Sequence, residues 1–183
     1  METDILAVPG AAATGPDRCY HCKRQLFSAL WQRARRDGHT LLLDGTNASD
    51  DEGDRPGMQA LRELEVRSPL RECGLTKDDV RRLSREAGLF TWEKPAYACL
   101  ATRIPTGTRI TAGDLARVER AEDALSRLGF ADFRVRLRED GARIQVTAAQ
   151  MALARAKWEE ILEQLKPDFT DVLLDQTPRQ ASR

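Results

Sequence analysis

Thr40-Leu-Leu-Leu-Asp-Gly-Thr-Asn47 decides the fold class. A short apolar run that ends in a polar, glycine-containing loop reads as a buried parallel strand and the turn that leaves it. Ligands of open α/β sheets gather at such strand ends. The loop continues to Gly57 and carries Asp50, Asp51, Glu52 and Asp54. Two readings are open here. One is a solvated acidic loop; the other is the mouth of a magnesium–nucleotide site, because carboxylates hold Mg2+ beside phosphates.

Upstream of that strand, residues 1–18 hold Pro9, Gly10, Gly15 and Pro16 without periodicity, which predicts an irregular lead-in. Cys19-Tyr-His-Cys22 then opens a helical pattern. Leu26, Leu30 and Ala34 recur at i, i+4 and i+8, and Gly38 is the stop. A CxxC at a helix start, where backbone N–H groups favour a thiolate, reads as half a zinc site, a redox pair or part of an iron–sulfur site. Two partly buried structural cysteines are the plain alternative.

Downstream, 66–70 reads as a short strand with Pro69 at its edge. Thr76, with Asp79 three residues on, caps a helix that ends at Gly88. Thr111 and Asp114 cap another, with Leu115, Val118, Leu125 and Leu128 on its apolar face and Gly129 at its end. Phe133-Arg-Val-Arg-Leu-Arg138 alternates, and Asp140-Gly141 predicts a hairpin turn into Arg143–Val146. Arg134, Arg136 and Arg138 share one face. They are either the polar side of a half-solvated sheet or forks that match a phosphate or carboxylate. A helix over about 148–165 stopped by Pro167, a strand at 172–174 and a frayed tail from Pro178 complete the chain.

Core packing explains Lys94-Pro-Ala-Tyr-Ala-Cys-Leu-Ala-Thr-Arg-Ile-Pro-Thr-Gly107 poorly. Pro95 and Pro105 oppose both an unbroken helix and a central strand. Cys99 lies between them, flanked by small residues. A thiol acts as a nucleophile in its thiolate form, and cations such as Lys94 or Arg103 favour that form if the loop folds back. The alternative is a buried cysteine serving as a small hydrophobe. Cys73, beside Gly74, fits no motif and reads as structural.

The chain has 183 residues, enough for one domain or two small ones. Hydrophobic residues at 41% and charged residues at 32% describe a soluble globular protein. Lys+Arg and Asp+Glu both number 29, so no basic excess supports nucleic-acid binding. No apolar run approaches the roughly 18 residues of a membrane span. Residues 5–13 are interrupted by Pro9 and Gly10 and follow acids, unlike a signal peptide. Four cysteines in such a chain point to metal or redox chemistry before disulfides, and to the cytoplasm.

Six blocks occur in order: Asp17-Arg-Cys-Tyr-His-Cys-Lys23, Asp44-Gly-Thr-Asn47, Arg55-Pro-Gly57, Ser68-Pro-Leu70, Gly74-Leu-Thr-Lys77, and Lys94-Pro-Ala96 with Ala98-Cys-Leu100 and Arg103-Ile-Pro105. Together they resemble the LarE family of ATP-dependent sacrificial sulfur transferases, from about Glu2 to about Val146. The resemblance implies a truncated PP-loop-type, Rossmann-like nucleotide-binding part over 1–107, ending in the sulfur-donor loop. A smaller α+β helix–hairpin–helix part over 108–183 follows. It implies ATP and Mg2+, a pyridinium mononucleotide substrate whose carboxylate becomes a thiocarboxylate for a nickel-pincer cofactor, and a homo-oligomer without nucleic-acid or membrane partners.

Cys99 occupies the sulfur-donor position, and Lys94 is the candidate base for releasing the sulfur. Asp44, Gly45, Thr46 and Asn47 fall on the nucleotide side; Thr102, Arg103, Arg134 and Arg136 fall on the substrate-phosphate side. A cluster-dependent version would hold [4Fe–4S] on Cys19, Cys22 and Cys99. A non-enzymatic version would hold zinc on Cys19, Cys22 and two of Cys73, Cys99 and His39. The family's Ser-Gly-Gly-Val-Asp-Ser phosphate loop does not occur in this sequence. The expectation is therefore weak nucleotide binding, from a late start or a lost ATP-hydrolysing function.

Overall fold

The apolar run 40–43 builds no sheet in the computed structural model, which describes residues 3–13, 15–50, 56–139 and 141–181. Leu43 makes one isolated parallel bridge, to Arg67. The Asp44 N–H donates to the Arg67 carbonyl at 2.9 Å, and the Arg67 N–H to the Leu42 carbonyl at 3.0 Å. Leu41 and Leu43 remain 50% and 56% exposed. The parallel sheet expected before residue 107 is thus a single bridge among the described residues. A parallel strand is stable when neighbours pair both edges and helices cover both faces; this one has a neighbour on one edge. The strand expected at 66–70 shortens for a related reason. Pro69 begins a helix, at a position where its missing N–H has no partner to lose.

The chain divides into two units, Met1–Lys94 and Pro95–Arg183. The first contains α1 (Pro9–Ala12), α2 (Arg18–Arg36), α3 (Pro56–Glu63), α4 (Pro69–Glu72) and α5 (Lys77–Glu86). Helix α2 follows its pattern to a left-handed close: Gly38 has φ +81°, and the His39 and Gly38 N–H groups donate to the Ala34 and Arg35 carbonyls. Helix α1, inside the segment expected to be irregular, brings the Gly10 backbone against the His21 ring. Helix α3 was not expected. Met58 and Leu61, one turn apart, form a core with Val66, against which Phe27, Leu42 and Leu64 pack. Helix α5 has the expected capping box, with reciprocal Thr76–Asp79 bonds. Asp51, Glu52, Asp54 and Arg55 lie outside the described residues.

In the second unit a 3-10 turn (Leu100–Arg103) leads to α6 (Ala112–Arg127), β1 (Arg134–Arg138), β2 (Gly141–Gln145), α7 (Met151–Ala156), α8 (Trp158–Leu165) and β3 (Asp171–Leu174). The sheet order is β1-β2-β3. β1 and β2 form the expected hairpin, with Val135 opposite Ile144 and Arg136 opposite Arg143. Asp140 of its turn lies outside the described residues. β3 returns parallel to β2. Val118, Leu125, Val135, Ile144, Val146, Ile161 and Leu165 are fully buried between sheet and helices. The helix expected over 148–165 is a 3-10 turn and two helices, interrupted where Lys157 leaves helical geometry at φ −99°, ψ 17°.

The division at Lys94 falls earlier than the boundary expected near 107, because the segment that follows is tied to α6 and β1. Among the described residues no helix is long and apolar enough to cross a membrane. The fold is a mixed helix–sheet one, compatible with the α/β class.

Candidate active site

The segment 95–99 has no regular secondary structure, and Cys99 is the residue that enters the 3-10 turn, at φ −49°, ψ 134°. Pro95 and Pro105 flank it, and proline opposes both a continued helix and ladder pairing. Thr102 closes the turn, its N–H and hydroxyl donating to the Cys99 carbonyl at 2.9 and 2.7 Å. The Cys99 thiol is free and exposed, so the buried-hydrophobe reading does not apply.

Arg103 stands differently from the expected cation beside a thiol. Its side chain is 1% exposed, and its Nε and Nη2 donate to the Glu122 carboxylate at 2.6 and 3.3 Å. Nη1 donates to the Thr102 hydroxyl at 2.7 Å. Glu122, also buried, accepts the Val135 N–H at 2.9 Å. A guanidinium taken out of water in this way ties the loop to α6; it is not presented to a diffusing anion. Glu122 lies on the Val118–Leu125 stripe of α6. A carboxylate on an apolar helix face is the signal the sequence carries for this pair.

The two other arginines serve the same segment. Arg134 projects from the polar face of β1 yet is 7% exposed. Its Nη2 donates to the Ala96 carbonyl at 2.7 Å and its Nη1 to the Phe133 carbonyl at 2.6 Å. Asp132 lies 3.8 Å away and is itself bonded to Arg179. Burial, then the nearby Arg103 and Arg179 guanidiniums, pull Arg134 below the ordinary arginine value. Arg136 is exposed; its Nη1 donates to the Thr102 carbonyl at 3.0 Å and its Nε to Gln145 Oε1 at 2.6 Å. Gln145 in turn donates to Asp175 at 2.9 Å, a bond that holds the Asp175 carboxyl below its usual range.

Tyr97 was also missed. Its ring lies beneath the Arg103 and Arg134 guanidiniums, 5.6 and 6.0 Å from the ring centre. The residue is 65% exposed, but its hydroxyl end faces the buried Glu122. Removal from water, then hydrogen bonding to Glu122, push that hydroxyl up to about 12.

The remaining candidates lie in the first unit. Asp44 accepts from the Thr46 hydroxyl at 2.5 Å, the Thr46 N–H at 3.2 Å and the Ser68 hydroxyl at 2.6 Å. That carboxylate therefore knits the loop to the Arg67 bridge. Thr46 is buried; Asn47 accepts from the Ser49 N–H at 2.9 Å. A side chain at Gly45 would meet open space. Lys94 places its Nζ 4.7 Å from the Phe90 ring centre, and its carbonyl accepts from Arg81 at 2.9 Å. Cys19 and Cys22 are the second and fifth residues of α2, at its start as expected, with Arg18 Nη2 3.6 Å from the Cys19 sulfur. None of the four cysteines is in a disulfide. Among the described residues no three His, Cys, Asp or Glu side chains gather to hold a metal ion, so Cys19, Cys22, Cys73 and His39 do not form the zinc set considered above.

No family model matches the chain. It is 41% identical over 151 residues, 82% of its length, to an uncharacterized protein of Synechocystis sp.. It is 39% identical over 136 residues, 74% of its length, to the pyridinium-3,5-bisthiocarboxylic acid mononucleotide synthase of Lactiplantibacillus plantarum. An uncharacterized protein of Methanocaldococcus jannaschii is 30% identical over 151 residues. The chain spans 56%, 49% and 59% of the lengths of these three relatives, so it is similar to about half of a synthase whose product carries sulfur in place of carboxylate oxygen.

Proposed function

We propose that this chain belongs to the LarE family of sulfur transferases and supplies the sulfur of Cys99 to a carboxylate of a pyridinium mononucleotide. One observation carries the reading. In a chain similar to a thiocarboxylic acid synthase, an exposed free cysteine sits on a loop that a buried ion pair holds in place. A product of that kind needs a sulfur donor, and a fixed, accessible thiol is one.

The chemistry follows from the groups. A carboxylate oxygen is a poor leaving group, so the substrate carboxylate is first adenylated by ATP, with Mg2+ neutralising phosphate charge. Asp44, Gly45, Thr46 and Asn47 are the proposed nucleotide side. The Cys99 thiolate attacks the acyl carbon, the C–O bond to AMP breaks, and a thioester forms. A base then removes the Cys99 α-proton. The electron pair forms the Cα=Cβ bond as the Cβ–S bond breaks, and the thiocarboxylate departs with the sulfur. Dehydroalanine remains at position 99. Lys94 is the proposed base. The product would serve a nickel-pincer cofactor of the lactate racemase type.

Intact-protein and peptide mass spectrometry after incubation with ATP and the pyridinium substrate tests this. The expected result is loss of one hydrogen sulfide from the peptide holding Cys99. Sulfur transfer that persists in Cys99→Ala without an external sulfur carrier overturns it. A second reading rests on the pair Cys19 and Cys22 at the start of α2. With Cys99, which belongs to the second unit, they would be three ligands of a [4Fe–4S] cluster, a set that the described residues do not gather. Iron and a brown colour in anaerobically purified protein would favour that reading; colourless active protein would exclude it.

A further inference from the structure

We propose that the Arg134–Ala96 contact is an anion-sensitive latch. A phosphate group that reaches the arginine-bearing face of the hairpin takes the place of the Ala96 carbonyl on Arg134, and the segment ahead of Cys99 is freed. The purpose of the latch rests on Cys99 as the sulfur donor; its geometry does not.

Three observations carry it. First, Arg134 is a buried cation without a carboxylate of its own. Asp132, 3.8 Å away, is bonded to Arg179, and Glu122 is bonded to Arg103. The hydrogen bonds of Arg134 go to neutral acceptors, the Phe133 carbonyl at 2.6 Å and the Ala96 carbonyl at 2.7 Å. Buried charges are ordinarily paired. The Arg103 and Arg179 guanidiniums leave this place positive, and they help to pull Arg134 below its ordinary value. A phosphate oxygen is a better acceptor here than a carbonyl, because charge-assisted hydrogen bonds are roughly twice as strong as neutral ones.

Second, an anion has a way in. Arg134, Arg136 and Arg138 alternate on one face of β1, and Arg143 stands opposite Arg136 on β2. Arg136, Arg138 and Arg143 are exposed. Like charges directly opposite each other are destabilising, a cost that an anion between them offsets. Arg136 spends Nη1 on the Thr102 carbonyl and Nε on Gln145, which leaves Nη2 for an incoming anion.

Third, the loop is held unevenly. Behind Cys99, the Thr102 hydroxyl bonds back to the Cys99 carbonyl and Arg103 is locked to Glu122. Ahead of it, the ties within the unit are the Arg134–Ala96 bond and the Tyr97 side chain. The Tyr97 ring lies against Arg103 and Arg134, and its hydroxyl bonds to Glu122. Loss of the Arg134 bond therefore loosens 96–98, and Cys99 pivots on its 3-10 turn. An anion that binds Arg134 only where the carbonyl has left shifts the population toward that open state. A cysteine consumed by its own reaction gains from this order. Its thiol must travel to the acyl carbon, and its α-proton must then be reached by a base. The latch keeps both motions for the moment when the substrate's phosphate is in place.

Backbone NMR relaxation of the full chain tests this in chloride, in inorganic phosphate and in the pyridinium mononucleotide, at matched ionic strength. In chloride the 96–98 amides should have order parameters of about 0.85, those of rigid backbone; with the phosphate group bound they should fall below about 0.6. Residues 100–103 should stay rigid. A response to both ligands assigns the signal to the phosphate group alone, and a response to the mononucleotide only assigns it to the substrate. Arg134→Gln should be mobile at 96–98 in chloride and should answer neither ligand. Arginine resonances that shift while 96–98 stay rigid would show an anion bound without opening the latch, and would overturn it. So would no response to either ligand. If Arg134→Gln fails to fold, the wild-type titrations decide. Mass spectrometry of the same protein supplied with ATP and substrate keeps the two readings apart. If no sulfur is lost, the sulfur-donor reading fails, and the order parameters still decide the latch.

Discussion

Two strand-like segments of this chain contrast. Thr40–Leu43 is apolar and reads as the more natural strand, yet Leu41 and Leu43 are half-exposed and one bridge is all the pairing described. Arg134–Arg138 carries three arginines in five residues and lies in a three-stranded sheet, with Arg134 almost fully buried. Apolar composition therefore does not make a strand; partners do. β1 finds its partner across a tight local turn, at small entropic cost. The 40–43 run depends on residue 67 and on neighbours that these residues do not supply. Burial of Arg134 becomes tolerable because its guanidinium meets two carbonyls, a carboxylate and the Tyr97 ring.

The sheet side of this contrast breaks most severely at Glu122. Its carboxylate neutralises Arg103 in a dry environment and also accepts the Val135 N–H. Removing one partner of a buried pair leaves the other charge uncompensated, and Glu122→Ala is expected to cost about 3–5 kcal/mol. Denaturant unfolding followed by circular dichroism measures it. A loss under about 1 kcal/mol would mean that water reaches Arg103, and that the loop is not tied by a buried pair.

Next is the apolar layer beneath the same strands. Ile144 is fully buried, opposite Val135. Ile144→Ala removes apolar contact and leaves a cavity, for an expected loss of about 2–5 kcal/mol. Comparable loss at an exposed leucine of the 40–43 run would erase the contrast.

What the sequence disclosed divides along the same line. Local signals were readable: the Thr76 and Thr111 caps, the Gly38 stop, the hairpin alternation and the CxxC at the start of α2. Each is a property of residues within one or two turns. The fold class was legible only as a mixture of helix and sheet, since the parallel sheet expected on 40–43 is a single bridge among the described residues; the loop character of the Cys99 segment was legible from its two prolines. Helix α3 was obscured by its position after an acidic stretch, with Met58 and Leu61 too few to declare a period. The partners of Arg103, Arg134 and Arg136 were not legible, because charge identifies a residue that can bind an anion but not which carboxylate or carbonyl it meets. Those partners lie 19 to 38 residues away in the chain. Glu122 was the exception, a carboxylate on an apolar stripe whose burial could have been inferred.

Tyr97 gives a smaller, spectroscopic handle on the loop. Its hydroxyl is pushed up from 10.0 to about 12 in the folded chain. The folded state therefore keeps a proton that an unfolded tyrosine releases first. The associated stability is complete below about pH 10 and is lost as the pH rises from there through about 12. The chain has two tyrosines, so in Tyr20→Phe the tyrosinate absorbance titration reads Tyr97 alone. A midpoint close to 12 is expected, falling toward the ordinary value in Glu122→Gln. A midpoint near 10 in the Tyr20→Phe protein would place the hydroxyl in water, away from Glu122.

The smallest effect belongs to Leu43. Its side chain is 56% exposed, while the bridge it makes to Arg67 uses backbone groups alone, which serine also has. Replacing it removes apolar surface that is already largely in water, so the transfer term nearly vanishes. Serine is a poorer strand former than leucine, but one bridge leaves little pairing to weaken. Leu43→Ser should change unfolding free energy by no more than about 0.5 kcal/mol, the range of an ordinary surface change. It should also leave the denaturant dependence of unfolding unaltered, since no additional surface is exposed. A loss of about 2 kcal/mol or more would mean that this leucine is covered in solution. The 40–43 run would then be a buried strand after all, and the difference from β1 would lie in what covers it.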